Sequence, residues 1–198
     1  MNNVIFQYNQ QEAAQIGGSQ YVTKSGGYDF KIVRAQFVNN KSLELDLETR
    51  EGLKCNYVSI NYTKNDGSLN DYGNKMIMAI MGCVGAQQLT ADQQGNVPEL
   101  FGKYLKAVVQ RVDYTKQSGA NAGQDGYKFD FKMPANLQTG KTVKEQLDNS
   151  EAKAFNQYAS TITDKDERSA TGATPCHNSP SQAQYNEPPT NFDDDIAF

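Results

Sequence analysis

Two sets of residues in this 198-residue chain have types and spacing that suit chemistry. The first is Asp193-Asp194-Asp195-Ile196-Ala197-Phe198, in which adjacent carboxylates repel one another yet lead directly into Ile196 and Phe198, which gain free energy only by burial. An anionic lead-in, two apolar anchors and a terminal carboxylate expected beside Phe198 make a peptide suited to being read by another protein. Its receptor would be a shallow apolar pocket rimmed by Lys or Arg. The second set is a body in which Tyr and Phe alternate with Lys and Arg, as in Tyr127-Lys128-Phe129-Asp130-Phe131-Lys132. Aromatic faces on which bases stack, with a cationic groove that follows phosphates, are what single-stranded nucleic acid requires.

Catalytic chemistry is missing by comparison. It needs a nucleophile with a base, a metal cage, or paired carboxylates in a pocket. His177 is the only histidine and stands beside Cys176 in a Pro- and Ser-rich stretch. Cys55, Cys83 and Cys176 are far apart, so neither a disulfide framework nor a zinc site is expected. Gly119-Ala120-Asn121-Ala122-Gly123 is not followed by the Gly-Lys-Ser/Thr of a phosphate loop, and three tail aspartates cannot impose the octahedral geometry of Mg²⁺. The expectation is a protein that is not an enzyme and uses no cofactor or metal.

Hydrophobic content of 37% and mean hydropathy of -0.71 predict that part of the chain lies outside a packed core. The net charge of -4 hides an asymmetry: residues 1–159 carry 17 Lys and Arg against 16 Asp and Glu, and residues 160–198 carry 2 against 7. An acidic appendage on a near-neutral body leaves room for a local cationic groove. No apolar run approaches the roughly 18 residues of a membrane span, and no basic-then-apolar leader opens the chain. A cytoplasmic protein that does not enter membranes is expected.

The elements that must position these residues follow from periodicity. Residues 1–20 form an N-terminal arm with a short edge strand at Val4 to Tyr8. Tyr28–Val38 reads as strand one. Ser42–Glu48 alternates three leucines with three acids as a half-buried strand two, after the turn Asn39-Asn40-Lys41. Leu53–Thr63 reads as strand three, Asn74–Val84 as a buried Met-rich helix capped by Asn74, and Tyr104–Thr115 as strand four. Tyr127–Met133 reads as strand five, stopped by Pro134. Thr142-Val143-Lys144-Glu145 is a capping box opening a helix to about Tyr158, expected to pack on the body or on a second subunit and so to support a homo-oligomer. From 160 the Pro-rich, aperiodic chain reads as a disordered linker carrying the acidic tip.

Three strands, a helix and two strands is the element order of the OB-fold, a five-stranded partly open antiparallel barrel that binds oligonucleotides. The expected body is therefore mainly β, spanning 21–159, with the C-terminal helix and acidic tail appended. Regular alternation then assigns faces. Tyr62 shares a face with Lys54 and is preferred for stacking over Tyr57, which lies opposite. Lys31 and Arg34 differ in parity, and Arg111 faces away from Tyr104 and Tyr114. Tyr114 and Lys116 agree, and Lys64 follows strand three. Lys128 and Lys132 lie together opposite Tyr127, Phe129 and Phe131, which are assigned to the core because their face continues into Met133.

The Asp193–Phe198 ending resembles the acidic C-terminal tip of single-stranded-DNA-binding proteins of bacteria and their phages, in which three aspartates precede an isoleucine, a proline and a terminal phenylalanine. Ala197 stands where that pattern has proline. With the element order, the whole is similar to the phage type. The resemblance implies a protein that coats and protects exposed strands in DNA replication, recombination and repair in an infected bacterium. It also implies recruitment of replication and recombination proteins through Asp193, Asp194, Asp195, Ile196 and Phe198. The alternatives are a protein-interaction adaptor that binds no nucleic acid, and a mediator that anneals strands. The aspartates are further expected to compete with phosphates for the body's own groove.

Overall fold

The structure, a computed structural model, describes residues 20–168. The edge strand expected at Val4–Tyr8, Cys176, His177 and the acidic tip fall outside the described residues. The elements are β1 (Gly26–Val38), β2 (Ser42–Thr49), β3 (Lys54–Asn61), α1 (Asp71–Val84), β4 (Tyr104–Thr115), β5 (Asp125–Ala135), α2 (Val143–Leu147), α3 (Ala154–Thr161) and β6 (Lys165–Asp166). No helix among them is long and apolar enough to cross a membrane.

The fold is mainly β. Its sheet runs β3-β2-β1-β4-β5 with antiparallel neighbours, and β6 adds to β4 in parallel. Leu43, Leu45 and Leu47 of β2 are fully buried while the intervening acids stay half-exposed, as alternation requires. Asn39 and Asn40 both take φ of 53°, the left-handed pair that a tight hairpin needs between β1 and β2. The sheet curls around a core of Phe30, Ile32, the β2 leucines, Val58, Leu105, Val109, Phe129 and Phe131, and this curl draws its two end strands, β3 and β5, together. No ladder of hydrogen bonds joins those ends among the described residues, so the sheet is open and has six strands.

Three bulges interrupt the regular alternation. Val33 is an extra residue on β1, because Ile32 pairs with Leu47 and Arg34 with Asp46. On β3, Asn56 and Tyr57 together oppose Asp46, since Leu45 pairs with Val58 and Leu47 with Cys55. On β5, Lys132 is the extra residue between Phe131, paired with Val109, and Met133, paired with Val108. Each bulge reverses which side chains face inward beyond it.

Helix α1 begins earlier than expected. Asn70, not Asn74, accepts from the Gly73 N–H, while the Asn74 side chain donates to the carbonyls of Tyr62 and Asn70. Met76, Ile77, Ile80 and Cys83 face the core, and Met78 points to solvent. Gly73 sits so close to β3 that a Cβ there would lie 1.8 Å from the Asn61 carbonyl oxygen. Burial pushes the thiols of Cys55 and Cys83 up to about 12, which leaves them unreactive.

Three boundary expectations are corrected. Pro134 does not stop β5, which continues to Ala135, because β5 ends the sheet and an end strand tolerates a missing N–H on its outer side. The single helix to Tyr158 is two: the Thr142 capping box opens α2, Asn149 turns the chain at φ of 50°, and α3 starts afresh, leaving Leu147 82% exposed. Glu145 explains the break. One oxygen accepts from the Thr142 N–H (2.8 Å), and the other accepts from the N–H groups of Lys153 and Ala154 (2.8 Å each), so one carboxylate caps two helices. Burial alone would raise its pKa, but the N–H donors of Ala154, Thr142 and Lys153 hold it down at about 2. The stretch from 160, expected to be linker, also stays on the body as far as 168. Asp164 accepts from the Ser25 N–H and hydroxyl (2.7 and 2.6 Å), and the Glu167 N–H donates to the Asp113 carbonyl (2.7 Å).

Candidate nucleic-acid interface

The bulges decide which aromatic and cationic side chains meet. By regular alternation Lys31 and Arg34 fall on opposite faces, yet the extra Val33 puts both on the outer face of β1. The bulge on β3 changes which tyrosine shares a face with Lys54. Lys54 and Tyr57 both face solvent, and Tyr62 turns inward, half-buried edge-on to Phe37 with ring centroids 5.6 Å apart. The ground for preferring Tyr62 is therefore corrected: Tyr57 and not Tyr62 shares a face with Lys54, and burial raises the Tyr62 hydroxyl pKa.

Tyr57 occupies the position expected of a stacking platform. It is 73% exposed and adopts φ of 57°, a left-handed conformation that is costly for a bulky residue. Asp46 holds it there. The carboxylate accepts from the Tyr57 N–H (2.7 Å) and binds the Arg34 guanidinium (2.6 Å), whose centre lies 5.5 Å from the Tyr57 ring. Burial would raise the Asp46 pKa, but Arg34 and the Tyr57 N–H hold it below the usual carboxylate range, and the same pairing raises that of Arg34.

Where β3 and β5 approach, a small cleft of about 220 Å³ is lined by Tyr21, Lys54, Tyr57, Tyr127 and Lys128. Residues 20–22 lie along β3, with the Val22 N–H donating to the Lys54 carbonyl and the Lys54 N–H to that of Gln20. Tyr21 is 48% exposed and Tyr127 44%. The Arg111 guanidinium stacks 4.3 Å from the Tyr127 ring centroid and is steadied by Asp113 (2.8 Å) and the Thr23 carbonyl (2.9 Å). Three tyrosine rings, two lysines and two stacked guanidiniums thus share one region of the surface. The cleft is smaller than the roughly 300–1,000 Å³ of small-molecule sites, and an extended chain lying across it is the better geometric fit.

The remaining expected residues lie elsewhere. Lys31 sits 5.9 Å from the Tyr104 ring centroid on the outer face of β1 and β4. Tyr114 and Lys116 come together over Gly126 at the base of the β4–β5 loop, where a Cβ on Gly126 would lie 3.3 Å from Lys116 and 3.4 Å from Tyr114. Lys64 is in the exposed turn after β3, bonded through its N–H to the Ser68 carbonyl. Lys132 is not grouped with the cleft: it bonds Asp130 (3.2 Å) and lines a different groove with Met133. Of the aromatics expected in the core, Phe129 and Phe131 are buried, while Tyr127 is not and Met133 lies on the opposite face because of the Lys132 bulge.

Sequence reasoning passed over Tyr21 and misassigned Tyr127. The available signal for Tyr127 was position: it stands at the loop end of its aromatic run, where alternation no longer guarantees cover. It also gave no weight to the acids opposite. Glu44, Asp46 and Glu48 form a carboxylate row on the outer face of β2 between the cations of β1 and β3, so phosphates crossing β2 would be repelled. Among the described residues no group of three His, Cys, Asp or Glu side chains is placed to hold a metal. No protein-family model matches this chain, and no curated protein matches it.

Proposed function

We propose that the protein binds single-stranded DNA with little base preference, the strand running along the cleft between β3 and β5. The observation that carries this reading is the convergence of Tyr21, Tyr57 and Tyr127 with Lys54, Lys128, Arg34 and Arg111, together with the bonds that Asp46 makes to hold the Tyr57 ring outward. Each stacked base contributes about 1 to 3 kcal/mol, and stacking is tolerant of sequence because every base has a π-face.

The finer reading of the fold is an OB-fold barrel. It is supported by the strand path β3-β2-β1-β4-β5, by the approach of β3 to β5, and by a helix between β3 and β4. In this reading the protein acts without catalysis, cofactor or metal as a phage-type coating protein in the host cytoplasm, during replication, recombination or repair. Residues 193–198 would recruit partner proteins. The carboxylate row of β2 favours one second reading, an adaptor whose sheet face binds a basic protein surface. Titration with oligo-dT across a range of salt separates the two: affinity that falls as salt rises marks the first, and no binding at low salt marks the adaptor.

A further inference from the structure

A second groove lies where β5 meets α1 and α2. It has a volume of about 740 Å³, and the exposed Tyr72 with Met76 and Ala79 of α1, Met133 and Pro134 of β5, and Val143 of α2 form its mainly aliphatic walls. Its rim is cationic, with Lys75, Lys132 and Lys144. Two acids at its edge already have partners, the rim's own Lys132 among them. Asp130 bonds Lys132 (3.2 Å) and Lys128 (3.6 Å), and Glu145 caps α2 and α3. An apolar pocket ringed by lysines is the receptor that Asp193-Asp194-Asp195-Ile196-Ala197-Phe198 calls for, and this chain carries both.

We propose that residues 193–198 dock in this groove of their own chain, with Ile196 and Phe198 against Met76, Met133 and Val143 and the aspartates against Lys75, Lys132 and Lys144. Charge alone would suit either cleft, but the anchors distinguish them. The tyrosine cleft holds only about 220 Å³, whereas the α1–β5–α2 groove holds about 740 Å³ and has mainly aliphatic walls to cover both side chains. Reach is no obstacle. Residues 169–192 span at most about 80 Å when fully extended, several times the roughly 15 Å radius of gyration of a body this size. A docked tip is withheld from any external reader, so a partner has to displace it.

The test is photocrosslinking of the full chain with p-benzoylphenylalanine in place of Phe198, without DNA, so that it fails or succeeds separately from nucleic-acid binding. Equal amounts of isotopically light and heavy protein are mixed and the adducts mapped by mass spectrometry. Adducts at Met76 or Met133 within one chain are expected. Their yield should fall about tenfold in Lys75→Glu/Lys144→Glu, and likewise in Ile196→Asp, which leaves the body untouched. Adducts at Tyr21, Tyr57 or Tyr127, adducts chiefly between light and heavy chains, no adduct on the body, or a yield indifferent to Ile196→Asp would each overturn the proposal.

Discussion

Strand β5 separates two clefts that share a cationic rim and differ in what lies between the cations. On the β3 side the surface between Lys54, Lys128 and Arg111 is aromatic and presented to solvent. On the α1 side the surface between Lys75, Lys132 and Lys144 is mainly aliphatic, with Tyr72 as its aromatic ring, and the cleft is larger, about 740 Å³ against about 220 Å³. Flat rings held outward suit planar bases, and a larger, mainly aliphatic groove suits apolar side chains that must be covered. A single extra residue, Lys132, makes the division, since the bulge there sends Phe131 into the core and Met133 out to the second groove. Positive charge alone therefore does not say what a cleft binds.

The largest effect is expected from removing the rings. Tyr57→Ala combined with Tyr127→Ala should weaken oligo-dT binding by about a hundredfold, taking stacking at about 1 to 3 kcal/mol per base, and should leave the salt slope almost unchanged. Met133→Ala should leave DNA affinity as it is. If Met133→Ala weakens binding and the tyrosine pair does not, the two clefts have been exchanged.

A smaller effect is expected on the frame of the second groove. Glu145→Gln loses a charged acceptor shared by two helix starts and should cost about 2 kcal/mol of stability at neutral pH. The folded-state pKa of Glu145, about 2, is below its ordinary value of about 4.3, so its stabilisation is complete above the ordinary value and is lost as pH falls toward 2. Melting temperatures of the wild type and Glu145→Gln should therefore differ at pH 7 and converge by about pH 2. A constant gap across that window would show that the carboxylate is not held by these donors.

The rims give the next contrast. Lys54→Ala and Lys128→Ala should each reduce the slope of log affinity against log salt by about 0.7, the single-strand value per phosphate contact, while Lys75→Ala should not alter it. The smallest expected effect is that of Phe198→Ala on DNA binding. Affinity should stay within about twofold of the wild type while capture of tip-reading partners is lost, because the anchor goes and every charge remains.

The sheet was legible because β2 alternates strictly and because Asn39-Asn40 has the chemistry of a tight hairpin; β1 to β5 follow from such patterns. The site was legible only in composition. Tyr57, Lys54, Arg34, Lys128 and Arg111 were recognisable as candidates, but the face shared by Tyr62 and Lys54, the ground for choosing Tyr62 over Tyr57, was undone by one bulge. Nothing in Leu53–Thr63 marks where alternation will slip. What places the slip is Asp46 on the neighbouring strand, reaching the Tyr57 N–H and Arg34 together, a contact between residues distant in sequence. The break between α2 and α3 was hidden for the same reason, since the local capping box concealed the second pair of N–H groups that Glu145 binds.

The most direct test of the account uses the protein's own fluorescence. The chain has 11 tyrosines and no tryptophan, so tyrosine emission reports on rings that stack against bases. Titrating oligo-dT into the full chain should quench that emission with an affinity that falls as salt rises, and Tyr57→Ala/Tyr127→Ala should lose most of the quenching. Quenching that persists undiminished in the double variant, or no binding of the wild type at low salt, would contradict a DNA path through the β3–β5 cleft.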